Sequence, residues 1–173
     1  LSAKDIGNLT RIFCNENVGV NKNTLINLNY NHNKSYEGNN LEIKDNKVNF
    51  IFNHSNEKIN PKDIFKIFQF SQNKNLDIHP STLDKIISSK NLVGKIANKD
   101  ELFEIFTSIL LSPKNSEKYL RLMSETGVLG KLFPDFQKII GLMQFNMYHH
   151  YTVDEHTLRA IGYLNKLEKG DLI

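Results

Sequence analysis

The chain has 173 residues, enough for one domain, or one and part of another, with a real hydrophobic core. Its 39% hydrophobic and 24% charged content is ordinary for a globular protein, and no apolar run approaches a membrane span. The net charge is only +3, and just 3 of the 22 basic residues are arginine against 23 asparagines, so the basic character reads as compositional drift rather than a nucleic-acid stripe. Residues 1–60 hold 16 of those asparagines and read as solvated connector with sparse structure. Within them, residues 2–14 suit a short helix, with Ile6, Leu9 and Phe13 on one side, and residues 25–30 a strand. Residues 31–40 read as a mobile loop. Leu41 to Ile43, the turn residues Asp45 and Asn46, and Val48 to Phe52 then predict a hairpin.

From Asn60 the pattern becomes helical, so the expected fold is mainly α: a bundle-like body with a small β-hairpin appendage near the N-terminal third. Asn60 reads as an N-cap with Pro61 at the first helical position, and Ile64, Phe65, Ile67, Phe68 and Phe70 wrap most of that helix. Pro80 opens a second helix with Leu83, Ile86 and Ile87 inward. Asn98 and Glu101 form a capping box for a third, whose stripe is Leu102, Ile105, Phe106 and Ile109. Asn115 or Ser116 starts a fourth, carrying Tyr119, Leu120, Leu122 and Met123 and ending at a left-handed Gly127. Pro134 marks a connector before residues 136–143.

The last segment carries the candidate chemistry. Thr152 with Glu155 is a capping box, so a helix begins there and His156 falls in its first turn, with His149, His150 and Tyr151 just upstream. A histidine at a helix head beside other histidines suits a metal site. Helical spacing groups His156 with Val153, Ala160, Leu164 and Leu167 at the edge of a buried face, where a hydrogen-bonded core histidine is the commoner outcome. Asp154 and Glu155 are explained by the helix dipole alone. His149 and His150, being adjacent, cannot both face one site in an extended segment. His32, His54 and His79 are isolated and read as structural, and Cys14 has no nearby base and reads as inert. A lone cysteine also excludes an internal disulfide and fits a cytoplasmic setting. There is no signal peptide at residues 1–5, no initiator Met, and little sequence after the last helix, which together suggest a piece of something larger.

The run from Met143 to Leu158, Met-Gln-Phe-Asn-Met-Tyr-His-His-Tyr-Thr-Val-Asp-Glu-His-Thr-Leu, resembles the start of the HD phosphohydrolase domain in the bifunctional PII uridylyltransferase/uridylyl-removing enzymes. Gly7-Asn8-Leu9-Thr10-Arg11, the Asn60 to Phe68 helix with Leu76-Asp77-Ile78-His79-Pro80, and the run from Glu125 to Phe136 are similar to that family in the same order. The resemblance implies a tail of the nucleotidyltransferase region with its Asn-rich hairpin connector at 1–60, a helical linker at 61–142, and the first helix of a truncated HD domain at 143–173. It implies His156 as the first metal ligand, with His149, His150, Tyr151 and Asp154 as candidate supporting or substrate-side groups and no nucleotide-binding residue. Asn146 departs from the aspartate expected there, which puts support of the metal in doubt.

The implied cofactor of the whole enzyme is Mg or Mn, with none expected on this fragment, since one histidine holds a metal negligibly. The implied partner is the PII signalling protein, with UTP and glutamine bound elsewhere, no membrane, and nucleic acid disfavoured. Self-association through an exposed apolar face of the last helix is a further expectation. Two alternatives stand beside this one: the helical part of a CCA-adding tRNA nucleotidyltransferase, and a non-catalytic module that docks PII.

Overall fold

The computed structural model describes residues 35–36, 40–51, 58–143 and 151–171. The helix expected over 2–14 and the strand over 25–30 lie outside these residues, as do Cys14, His32, His54, Asn146, His149 and His150.

The hairpin forms where its turn chemistry places it. Strands β2 (Leu41–Lys44) and β3 (Lys47–Phe50) pair antiparallel, with Leu41 opposite Phe50 and Ile43 opposite Val48. Asp45 and Asn46 between them have φ of 50° and 58°, the left-handed pair that a two-residue turn needs and that Asp and Asn tolerate. Alternation then puts Leu41, Val48 and Phe50 on one face, and all three are buried. A slip of one residue would turn that set to solvent, so burial fixes the register.

Two short strands flank the hairpin in the order β1-β2-β3-β4. β1 (Ser35–Tyr36) runs antiparallel to β2, and β4 (Asp77–Ile78) runs parallel to β3, placing Ile78 beside Val48. The loop expected over residues 31–40 is therefore interrupted by a strand. The open edge of β2 offers backbone donors and acceptors whatever the side chains of the approaching segment, so composition carried no sign of it.

Helix α1 (Pro61–Lys74) begins as expected: Asn60 Oδ1 accepts the Lys62 N–H at 3.0 Å, and Pro61 occupies the first turn. Ile64, Phe65, Ile67 and Phe68 are all fully buried, each contributing about 1.5–3 kcal/mol relative to exposure. α2 (Pro80–Ser89) is capped by His79, whose Nδ1 accepts the Ser81 N–H at 3.3 Å, so this histidine is structural. Leu83 and Ile86 are buried as expected, while Ile87 is only half-buried.

After α3 (Asn91–Lys95), α4 (Asp100–Leu110) starts with Asn98 Oδ1 accepting the Asp100 N–H at 2.9 Å. Glu101 pairs with Lys62 of α1, tying the two helices at the surface. α5 (Ser116–Glu125) and α6 (Val128–Leu132) meet at Gly127, which is left-handed at φ 78° as expected. α7 (Pro134–Ile139) begins at Pro134 itself rather than two residues later, because proline is already preset for a first turn. α8 (Val153–Lys169) closes the described chain.

The core lies where α1 packs along α4 and beneath α5, with the sheet and α2 on its flank. Val48, Ile86, Ile109, Tyr119 and Met123 meet the α1 residues there. The β appendage is seated on the helical body rather than hanging from it. Thr82 Oγ1 accepts the Phe50 N–H at 3.0 Å and donates to Asn49 Oδ1 at 2.9 Å, joining α2 to β3. The Tyr119 hydroxyl donates between the Ser71 and Leu76 carbonyls, both at 2.9 Å, at the end of α1. Burial, reinforced by the Asp77 charge, pushes this phenol up to about 12.

Candidate functional site

The head of α8 is held by its own approach segment. Gly141, left-handed at φ 73°, donates its N–H to Asp154 Oδ1 at 3.1 Å, and Val153 donates to the Leu142 carbonyl at 3.0 Å. Asp154 is only 6% exposed, so its carboxylate is turned inward to this strap. Thr152 has the extended backbone of an N-cap and its carbonyl accepts the His156 N–H at 3.0 Å, but its side chain makes no capping bond. The capping box expected from Thr152 and Glu155 is therefore not made.

Glu155 is engaged elsewhere, by stronger partners. Its Oε1 accepts from Arg159 Nε at 2.7 Å, one turn along α8, and its Oε2 is paired with Arg121 Nη1 of α5. Arg121 Nη2 in turn donates to Glu117 Oε1 at 2.8 Å. A capping bond would set one carboxylate oxygen on a neutral amide, whereas the two guanidinium groups bring full positive charge to both oxygens, which accounts for the carboxylate's choice. Burial alone would push the Glu155 carboxyl up, but the bonds and charges of Arg121 and Arg159 outweigh it and hold the group below the ordinary range. Arg121 is kept all the more firmly protonated, chiefly by the hydrogen bond it donates to Glu155.

Beside this network stands the histidine. The His156 ring lies 5.6 Å from the Tyr151 ring, edge-on at 85°, and the Arg159 guanidinium sits over the Tyr151 ring, 4.1 Å from its centroid. His156 is exposed, which corrects its expected place at the edge of a buried face. The buried side of α8 is instead Asp154, Leu158 and Gly162, with Ile161 packed against the core, while Leu164 and Leu167 are 61% and 54% exposed. The reason is the crossing with α5: the Glu117 carboxylate occupies the space where a Gly162 Cβ would stand, so only glycine lets α8 lie that close.

Of the candidate residues, the structure thus brings Tyr151 and His156 together and turns Asp154 away; His149 and His150 fall outside the described residues. As a metal donor, the exposed His156 imidazole fits one coordination position. The adjacent carboxylates do not add to it, since Glu155 serves two arginines and Asp154 serves Gly141. Among the described residues no group of three or more His, Cys, Asp or Glu side chains is placed to hold a metal ion. Sequence reasoning missed Arg121, Glu117 and Arg159. The Glu117–Arg121 and Glu155–Arg159 pairs each had a signal in their four-residue spacing, but the bond from Arg121 to Glu155 spans 34 positions and had none.

Such a molecule is a mainly helical domain with a small sheet on its flank and a last helix headed by a histidine. Residues 37–132 match the family model described as the third domain of uridylyltransferase GlnD. The chain belongs to that family. It is also 38% identical, over 99% of its length, to a bifunctional uridylyltransferase/uridylyl-removing enzyme of Azospirillum brasilense, of which it spans 19%. No solved structure matches. A CCA-adding enzyme is not favoured by these likenesses. No helix among the described residues is long and apolar enough to cross a membrane.

Proposed function

We propose that this chain is the connection, in a bifunctional uridylyltransferase/uridylyl-removing enzyme, between the nucleotidyltransferase region and a metal-dependent HD phosphodiesterase domain that begins near residue 143. The observation that carries this reading is the 38% identity to such an enzyme along 99% of the chain, past the 37–132 match and through the His156 helix. The transferred group is uridylyl from UTP, the acceptor is a tyrosine of the PII signalling protein, glutamine acts on another part of the enzyme, and the setting is cytoplasmic.

His156 supplies one ligand for Mg or Mn, and its remaining ligands come from other parts of the enzyme. When bound, such a cation polarises a phosphoryl oxygen and lowers the pKa of a bound water. The chain's own contribution is positional: Tyr151 limits the rotation of the His156 ring, and Asp154 fixes the approach strap to the first turn. The test is His156→Ala in the whole enzyme. Removal of uridylyl from PII is expected to fall at least 100-fold, as for loss of a metal ligand, with uridylyl transfer intact. Retained removal activity would sink the assignment.

A further inference from the structure

An unbroken run of contacts links the helical body to the His156 imidazole. It starts at Glu117 of α5, whose carboxylate lies in the notch left by Gly162 of α8. It passes through Arg121, which bonds Glu117 with one terminal nitrogen and Glu155 with the other. Glu155 spends its second oxygen on Arg159, and Arg159 covers the Tyr151 ring, whose system meets His156 edge-on. Each carboxylate oxygen of Glu155 has its own guanidinium, one from each helix, so the group clamps α8 to α5 at the turn that carries the histidine. Exposed ion pairs are usually worth little, but here Arg121 is only 25% and Glu155 22% exposed, and both are held by more than one bond. A guanidinium fork bonded at two ends sets direction as well as distance, which a lysine could not do.

We infer that Arg121 and Glu155 are positioning residues for His156, so that the helical body sets the orientation of the hydrolytic helix head through Arg159 and Tyr151. This rests on the functional reading above and extends it to residues that touch neither metal nor substrate. The geometry makes the helical body a part of the hydrolytic site's support rather than a spacer. It also makes the two residues act as a unit, because breaking either one releases the same clamp.

The experiment uses the whole enzyme, with Arg121→Gln, Glu155→Gln, the double variant and His156→Ala. The expected result is a 10- to 100-fold loss of uridylyl removal carried by kcat, the scale seen when groups supporting metal ligands are removed. Mn²⁺ affinity of the metal-stripped enzyme should weaken over the same range, uridylyl transfer should stay intact, and the double variant should be no worse than the more severe single one. Unchanged removal activity and Mn²⁺ affinity in Arg121→Gln, with His156→Ala inactive in removal, would overturn the inference and leave the metal-ligand reading standing. A joint fall of transfer and removal with the melting temperature would also overturn it, reducing the cluster to a fold element. Removal activity surviving in His156→Ala takes away both readings together.

Discussion

Tyr119 illustrates how one side chain reinforces a helix end that the backbone already closes, since the Asn75 and Leu76 N–H groups bond the Gln72 and Ser71 carbonyls. α1 ends at Asn75 in the left-handed conformation, and the Ser71 and Leu76 carbonyls beside that end share the Tyr119 hydroxyl. Replacing it by phenylalanine removes that donor from both carbonyls, although Ser71 keeps the Leu76 N–H, so Tyr119→Phe is expected to cost about 1 kcal/mol at neutral pH. The pH dependence follows from the direction of the shift. The phenol is raised from 10.0 to about 12 in the folded chain, so the folded state favours the protonated form. That contribution is complete below pH 10 and is lost as pH rises through about 12. Urea unfolding of both proteins at neutral pH and across this alkaline window should show the gap between them closing as pH rises. A gap that stays constant would mean that folding does not raise this phenol.

At the scale of elements, the crossing of α5 and α8 decides where the candidate site faces. Alanine at position 162 would gain about 1 kcal/mol of helix propensity over glycine. Against that, its Cβ would collide with the Glu117 carboxylate and come within 3.2 Å of the Glu117 Cβ, so moving the carboxylate alone does not relieve it. Overpacking of this kind costs about 1–3 kcal/mol, and the close contact wins. Gly162→Ala should lower the melting temperature in the parent sequence and do so less in a Glu117→Ala background, where the carboxylate collision is gone and only the 3.2 Å contact with the Cβ at position 117 is left. A stabilising Gly162→Ala in the parent sequence would show that the helices do not approach this closely. The same crossing explains what the sequence disclosed and what it withheld. The hairpin, the Asn60–Pro61 start and the Gly127 turn were legible because their chemistry is local to three or four residues. The face of α8 was not, because it carries apolar residues on two sides, Leu158 with Ile161 and Leu164 with Leu167, and only tertiary packing chooses between them. Glu155 misled for a related reason: Thr152 offered a local partner, and the stronger one came from a helix 34 residues away.

For the whole molecule, the distribution of charge separates the family reading from a tRNA-tracking one more sharply than net charge does. The formal charge is +3, which alone would permit weak attraction to a polyanion. Sequence-independent nucleic-acid binding depends on cations free to displace counterions from several phosphates. Of the three arginines, Arg121 and Arg159 are both bonded to Glu155, so a phosphate would have to compete with a carboxylate already in place. Several lysines are similarly engaged: Lys62 with Glu101, Lys118 with Asp77, Lys138 with Asp135. These pairs sit on α1, α5 and α7, on different elements of the body rather than along one track. The chain is therefore expected to leave tRNA unshifted in a gel at about 0.1 M salt, where surface charges are already screened beyond roughly 10 Å. Binding there with an apparent affinity that falls steeply between about 50 and 200 mM salt would mean that several phosphates are being neutralised, and would favour the tRNA nucleotidyltransferase alternative. Retention of that shift after Arg121→Gln and Arg159→Gln would place the contact on lysines or Arg11, away from the α5–α8 clamp. The clamp would then still answer to its own test in the whole enzyme.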